Sequence, residues 1–324
     1  MKLQQLRCVV EIVRNGNHLS AAAQALNTSQ PGVSRQIQQL EAELGFDIFI
    51  RTRNRIIGLT DAGEQLFAIA QRITTDVSAV KSLTEEFTSG SRGTLIVGTT
   101  HTQARYVLPH LIQRFVKAYP SVSLMLKQGD PTYACELVDA GEADLAIGTE
   151  TIRSFPRLVR LPFAKLTRCV VAPAGHPILE EDTLTLERIA EYPIITYDQR
   201  YSGRWKAMKA FGEAGLTPNI ILSAIDADIC KAYVEMGLGI AILSTAAYDP
   251  KRDAGLRARD ASHLFEPSVI SISLRINAYL RPFILDFIQS VAPELTKTAI
   301  REAIAIASLE QFKDEAPSSS ARKD

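Results

Sequence analysis

Two groups of residues in this sequence carry side chains that could do chemistry. The first is Gln30, Ser34, Arg35 and Gln38, with Thr28, Ser29 and Pro31 at the start of the same stretch. Amides, a hydroxyl and a guanidinium at helical spacing are the groups that bond base edges and phosphates from a DNA major groove. Arg51, Arg53 and Arg55 follow at alternate positions. On a strand, such alternation puts three guanidinium groups on one side, facing a phosphate backbone. The second group is Gly98-Thr99-Thr100-His101-Thr102-Gln103-Ala104-Arg105. A strand is expected to end at Gly98 and a helix to begin near Thr102. The free N–H groups and positive dipole end of that helix attract an anion. The hydroxyls of Thr100 and Thr102 and the amide of Gln103 add neutral donors, which suits a fully ionised oxyanion without a lysine. Each group has a plainer reading, an amphipathic hairpin with a polar face in the first case and threonine capping alone in the second.

The elements that must position the first group are two short helices within Leu19–Leu44. Ser20 is placed to cap the first, which carries Ala21, Ala22, Ala25 and Leu26 on one side. Asn27, Thr28 and Ser29 break the pattern and offer oxygens to a new helix start. Pro31 falls in the first turn, where its missing N–H costs nothing. Val33, Ile37, Leu40 and Leu44 recur at helical spacing, and the small alanines allow close approach. An earlier helix, Lys2–Asn15, buries Leu3, Leu6, Val9, Val10 and Val13. Asp47–Ile50 reads as a strand and Arg51 to Leu59 as a ribbon, so residues 1–59 form a winged helix-turn-helix, with the helix pair at about 19–38.

From Leu59 the apolar residues Ala62, Leu66, Ile69, Ile73, Val77, Val80, Leu83 and Phe87 repeat at the 3.5-residue interval of a coiled-coil seam. Residues 60–90 are therefore expected to be a linker helix that pairs with a second copy, or else packs on the rest of its own chain. Beyond Ser89-Gly90-Ser91 the pattern is β/α, with strands at Thr94–Gly98, Val122–Lys127 and Ala143–Ile147, and a helix from Thr102 to Ala118. A second series runs from the strand Arg168–Ala172 to the strand Ile240–Leu243, followed by a strand at Val269–Leu274 and a helix at Pro282–Val291. Such alternation implies mostly parallel sheets wrapped by helices. Glu294–Phe312 reads as a last amphipathic helix, and 314–324 as a flexible tail.

The chain has 324 residues, too many for one core. Its formal charge is zero, but residues 1–58 hold seven basic and four acidic residues, a local +3 that suits a nucleic-acid reader. Cys8, Cys135, Cys169 and Cys230 are far apart among apolar neighbours and read as core residues. The five histidines lack metal-ligand spacing, and no nucleophile motif is present, so neither a metal, a cofactor nor catalysis is expected. No run is long enough to span a bilayer and no signal segment is evident, so a cytoplasmic protein is expected.

Several spaced elements agree with one family. The sequence resembles the LysR-type transcriptional regulators in Ser20–Ala23, Ser29–Ser34 (S-Q-P-x-V-S), Leu40–Gly45 (L-E-x-x-L-G) and Phe49–Arg51 (F-x-R). The resemblance implies an α/β protein with an N-terminal winged helix-turn-helix and a two-lobed, periplasmic-binding-protein-like effector domain at 91–313. Lobe I would take 91–161 and 267–293, lobe II 162–266, with chain crossings near Leu161 and Pro267 and a ligand cleft between. Gly148-Thr149-Glu150 and Tyr197–Arg204, including Ser202 and the N–H of Gly203, would reach that cleft. The run from Thr99 to Tyr106, Ala146–Glu150, Gly215–Pro218, Asp226–Asp228 and Gly237–Gly239 narrow the resemblance to the CysB-like branch of sulfur-assimilation regulators.

That branch implies sulfate or thiosulfate as anti-inducers and acetylserine compounds as inducers, with adenosine phosphosulfate sensed by some members. Its anion ligands carry over onto Thr100, Thr102, Gln103 and Thr149, and Ser202 stands where the branch usually has threonine. Leu166 stands where it has tryptophan, and Asp198-Gln199-Arg200 replaces an uncharged aromatic run. Arg200 would either recruit a second negative group, favouring a larger sulfur metabolite, or simply pair with Asp198 in solvent. The partners implied are double-stranded promoter DNA, RNA polymerase and further copies of the chain, as homodimer or homotetramer, with no membrane. The function implied is activation of sulfur-assimilation and cysteine-biosynthesis genes. The alternatives are a regulator of sulfonate or sulfate-ester use that senses adenosine phosphosulfate, and, in another class, a solute-binding protein or enzyme on the same two lobes.

Overall fold

The winged unit is built from three helices, α1 (Leu3–Arg14), α2 (Leu19–Ala25) and α3 (Gln30–Leu44). The computed structural model describes residues 1–53, 55–89 and 92–315, with the side chains of 79, 81–89 and 310–315 excepted. It divides into two units, Met1–Gly90 and Ser91–Asp324. In the first, Leu6, Val9, Val10 and Ile12 of α1 close over Ala22, Ala23, Val33, Ile37 and Leu40. The small Ala22 and Ala23 let α2 lie against this core. Asn27 makes the turn with a φ of 50°, which asparagine tolerates better than most residues. The hydroxyl of Ser29 then accepts from the N–H of Gly32 at 3.3 Å and opens α3. Ser20 is not a cap. Helix α2 starts two residues earlier, with His18 as N-cap, and the Ser20 hydroxyl instead donates to Gln30 Oε1 at 3.1 Å.

The wing is the antiparallel pair β1 (Phe49–Thr52) and β2 (Arg55–Leu59). The expected row of three arginines on one side does not form. Arg51 lies opposite Ile56 and shares its inward face, whereas Arg55 lies opposite Thr52 on the other. Arg53 sits in the connecting turn with a φ of 55°. The ladder slips between Ile50 and Arg51, and that irregularity together with the tight turn breaks the alternation. Helix α4 (Asp61–Ser89) begins where the Thr60 hydroxyl accepts from the Gly63 N–H at 2.9 Å. A Cβ at Gly63 would lie 2.0 Å from the carbonyl oxygen of Ile48, so this junction needs glycine.

The apolar stripe of α4 is divided rather than continuous. Leu66, Phe67 and Ile73, with buried Ala70, pack on the winged core, while Ile69 keeps 43% of its surface exposed. The seam positions Leu83 and Phe87 lie outside the described side chains.

In the second unit, lobe I has the strands β3 (Gly93–Thr99), β4 (Val122–Gln128), β5 (Leu145–Gly148), β6 (Leu158–Leu166) and β12 (Ser268–Arg275), ordered β4-β3-β5-β12-β6. Lobe II has β7 (Arg168–Pro173), β8 (Ile194–Tyr197), β9 (Ile220–Ala224), β10 (Ile240–Ser244) and β11 (Leu256–Asp260), ordered β11-β7-β10-β8-β9. Both sheets are mixed. In each, four strands run the same way and one, β12 in lobe I and β7 in lobe II, runs against them, so that two of the four pairings are parallel and two antiparallel. The first crossing between lobes lies at Thr167, not near Leu161, because β6 runs on beside β12 until Leu166 pairs with Ser268. Both crossings thus sit side by side, at Thr167 and Pro267.

Helices α5 (Pro109–Ala118), α6 (Pro131–Asp139) and α10 (Pro282–Val291) cover lobe I, and α7 (Leu186–Ala190), α8 (Ser202–Glu213) and α9 (Ala227–Glu235) cover lobe II. The expected helix from Thr102 to Ala118 is two pieces. Gln103–Val107 is a π-helical turn closed by the Leu108 N–H on the Gln103 carbonyl at 2.9 Å, and Pro109 starts α5 afresh. Helix α11 (Lys297–Glu315) docks through Ile300, Ala303 and Ile304, while Ile306 and Leu309 are exposed. The tail 316–324 lies outside the described residues. Among the described residues no helix is long and apolar enough to cross a membrane, and no cluster of side chains could hold a metal ion.

Candidate ligand cavity and nucleic-acid interface

The exposed side of α3 carries Gln30, Arg35 and Gln38, with Ser34 half-buried among them. Thr28, Ser29 and Pro31 are exposed at its start. Arg53 and Arg55 are exposed at the tip of the wing. Arg51 is engaged from within. Its Nη2 donates to Glu41 Oε2 at 2.8 Å, and Glu41 is 8% exposed. Glu41 Oε1 also accepts from the N–H groups of Ile48 and Phe49 at 2.9 and 3.4 Å. One carboxylate of α3 therefore anchors the base of the wing, a role the acid count of the sequence did not suggest.

In the second unit Thr100, Thr102, Gln103, Thr149 and Ser202 converge on one cavity, with Leu166 beside them. All five carry-over residues meet there because β3, β5 and β8 end at the same edge of the two lobes, and ligands of open α/β sheets bind at such carboxyl ends. The cavity offers about 30 Å³ to the centres of water-sized atoms. That is two to three times the need of one water, a scale that suits a small oxyanion. Gln103 is fully buried and neither atom of its amide has a partner. The Ser202 hydroxyl lies 2.8 Å from those of Thr149 and Ser268.

The expected segment Tyr197–Arg204 brings Tyr197 and Tyr201 to the cavity along with Ser202, and two further residues that sequence reasoning passed over line it, Arg168 and Ser244. Arg168, the only charged group among the lining residues, had the look of an ordinary strand start. Burial pushes the Tyr201 hydroxyl up to about 12 and Tyr197 higher still, so both are neutral phenols. Arg200 is not in this cavity. It lines an outer one of about 550 Å³ with Asp130, Tyr133 and Ile225, and Tyr201 lines both. Its Nε donates to Asp198 at 2.8 Å and its Nη1 reaches Asp130 Oδ2 at 3.3 Å. The pair with Asp198 is present, and a second carboxylate from the facing lobe completes it.

Beside the cavity, a polar cluster joins the lobes. Asp228 of α9 accepts from the Tyr106 hydroxyl at 2.5 Å and contacts His101 at 3.2 Å, Arg105 at 3.4 Å and Lys231 at 3.3 Å. Burial pushes its carboxyl up, but the hydrogen bonds of Tyr106 and His101 and the charge of Lys231 prevail and hold it at about 2. A carboxylate depressed in the folded state contributes stability above its unfolded value near 4, and that contribution disappears as pH falls through about 2. Asp228→Asn is accordingly expected to melt at a lower temperature than the parent at pH 7, with the gap narrowing between pH 4 and pH 2. A gap that stays constant in melts across that range would count against this account.

The family models agree with both units. Residues 3–64 match the bacterial regulatory helix-turn-helix protein, lysR family, and residues 88–296 match the LysR substrate binding domain. The chain is 46% identical over 308 residues to the HTH-type transcriptional regulator SsuR of Burkholderia cenocepacia, covering 94% of this chain and 100% of that one. It is 43% identical to CysB of the same organism, covering 94% and 97%. Among solved structures, the cofactor-binding domain of the Cbl transcriptional regulator matches 66% of this chain and 93% of its own, at 35% identity and a TM-score of 0.63. Regulators of this family bind DNA and small effector molecules and act as oligomers. With both units matched, and with full-length relatives that are regulators and not enzymes, the chain belongs to the LysR family of transcriptional regulators.

Proposed function

We propose that this regulator activates genes of sulfur assimilation and cysteine biosynthesis, and that a small sulfur-containing anion or an acetylserine-type inducer in the lobe cavity controls it. The observation that carries the reading is the convergence of Thr100, Thr102, Gln103, Thr149 and Ser202 on one small buried cavity, in a chain 46% and 43% identical to SsuR and CysB. In this reading Gln30, Ser34, Arg35 and Gln38 face base edges, Thr28, Ser29 and Pro31 seat the helix start on the backbone, and Arg53 and Arg55 hold phosphates. Arg51 supports the wing through Glu41. Two or four copies act together on promoter DNA and contact RNA polymerase.

A second reading takes adenosine phosphosulfate as the effector. The outer cavity favours it, since about 550 Å³ beside the inner site leaves room for more than an oxyanion. Arg200 already faces two carboxylates, so its contribution to a second negative group is small. Equal loss of both ligands, or of neither, in Arg200→Ala supports that view, and a selective loss of adenosine phosphosulfate overturns it.

The main test pairs two variants. Arg35→Ala is expected to weaken specific DNA binding at least about tenfold, the scale of one lost base contact, and to leave the melting-temperature rise with sulfate, thiosulfate or acetylserine intact. Thr102→Ala is expected to bind DNA normally and lose that rise. A Thr102→Ala protein that responds as the parent does would remove the cavity from the mechanism.

A further inference from the structure

The inner cavity has a charge that its neutral donors do not explain. Arg168 is 2% exposed. Its Nη1 donates to the carbonyls of Leu166 and Thr167 at 3.2 and 3.3 Å, and its Nη2 to the hydroxyl of Ser268. Its Nε is buried and has no partner. No carboxylate among the described residues forms an ion pair with it. Glu150, whose charge acts on it, has Oε1 held by Lys206 at 2.7 Å and by the N–H of Val269 at 2.9 Å while its Oε2 is buried without a partner, and Glu266 is likewise held by Lys206 at 2.8 Å. Burial lowers the pKa of Arg168, as expected of a cation removed from water, though a guanidinium keeps its proton.

A second positive feature abuts the first. The opening turn of the 12-residue helix α8 packs on the guanidinium so closely that a Cβ at Gly203 would lie 3.0 Å from Nη2 and 3.2 Å from Nε. The positive end of a helix dipole laid against a buried cation is unfavourable unless an anion joins them. Unpartnered buried atoms point the same way. Both amide atoms of Gln103 and the hydroxyl of Ser244, residues 0% and 3% exposed, line the same cavity without partners. A buried polar group left in this state marks a place for something that bonds it.

We propose that Arg168 is the counter-charge of the effector, so that the cavity selects for the net charge of the head group and not only for its tetrahedral shape. This rests on the anion reading given above and sharpens it. A neutral isostere is excluded. An acetylserine-type ligand presents its carboxylate to Arg168, a phosphosulfate its sulfate, and the two compete for one seat with their remaining atoms directed toward the outer cavity at Tyr201.

The test uses the full-length protein, calorimetry, and two probes of similar shape, sulfate and its uncharged analogue sulfamide. The parent is expected to bind sulfate and not sulfamide. Arg168→Gln is expected to lose on the order of 100-fold in sulfate affinity, while its melting temperature without ligand stays level or rises, because an uncompensated charge has been removed. Arg168→Lys, which keeps the charge, is expected to retain more affinity than Arg168→Gln. Equal binding of sulfate and sulfamide by the parent overturns the proposal, and so does parental sulfate affinity in Arg168→Gln. If Arg168→Gln does not fold, the comparison of the two probes on the parent decides alone. A parent that binds neither probe overturns the anion reading itself, an outcome distinct from the other two.

Discussion

Glu41→Ala is expected to destabilise the winged unit by about 3 kcal/mol, the scale of a lost charge-assisted hydrogen bond together with buried N–H groups left without acceptors. Glu41 is 8% exposed and its two oxygens serve three donors, the Ile48 and Phe49 N–H groups and Arg51. Ile48 and Phe49 lie in the core itself, so water does not readily replace the lost acceptor. The same change frees Arg51 and removes the link that sets the wing against α3. Specific DNA affinity is therefore expected to fall more than in Arg53→Ala, even though Glu41 carries the wrong charge to touch a phosphate. Glu41→Gln keeps an acceptor for Ile48 but loses the ion pair, and should lie between the parent and Glu41→Ala. Amide hydrogen exchange reads this directly. The Ile48 and Phe49 amides should exchange faster in Glu41→Ala, and unchanged protection would remove Glu41 from this role.

Glu41 also shows where the sequence was legible and where it was not. The three N-terminal helices could be read because their apolar spacing and capping residues are local signals. The seat of Glu41 is not local. It depends on β1 returning beneath α3, a contact ten residues away that no periodicity records. The arginine ribbon departs from its sequence pattern for a related reason. Alternation sets faces only on a regular strand, and the slip at Ile50 and Arg51 with the turn at Arg53 is invisible in a pattern of residue types. Ser20 has the residue type of a cap, but the turn at Gly16 and Asn17 lets α2 start earlier.

The second unit divides along the same line. Central strands such as β5 and β10 are continuous apolar runs and were found. The missed strands β6 and β11 are edge strands. One contains Pro162 and the other alternates arginine with apolar residues, both tolerable at an edge and both poor signals for a strand. Because β6 carries the chain on to Leu166, the first crossing falls at Thr167 and not at Leu161, and Arg168 follows it directly. Threonine, glutamine and serine could be assigned to the cavity by resemblance, since they lie in matched motifs. Arg168 could not, because at the start of a strand an arginine is ordinarily a solvated end, and only the fold buries it under Gly203.

Lys206→Met is expected to lower stability by about 3 kcal/mol at pH 7, or about 6–12 °C in melting temperature for a unit of this size. Lys206 is 4% exposed and its ammonium group holds Glu150, Glu266 and the carbonyl of Pro267 at 2.7 to 2.8 Å. Glu150 belongs to lobe I, Lys206 to lobe II, and Pro267 to the second crossing, so one ammonium ties both lobes to their hinge. Methionine fills similar volume, which leaves the charge as the main change. In the parent, burial pushes the Glu150 carboxyl up, but Lys206 and the Val269 N–H overcome it and hold Glu150 below the usual carboxylate range. Its contribution is present above the unfolded value near 4 and fades as pH falls through the lower folded value. Without Lys206 the burial effect dominates and the folded value rises, so the variant should be least stable relative to the parent at neutral pH and approach it toward pH 4. A stability gap that does not narrow would mean that the lost interaction is packing rather than charge. The same substitution also releases a carboxylate in the field of Arg168. If the arginine is the effector's counter-charge, that carboxylate competes with the anion, and sulfate affinity should fall in Lys206→Met and recover in Lys206→Met combined with Glu150→Gln.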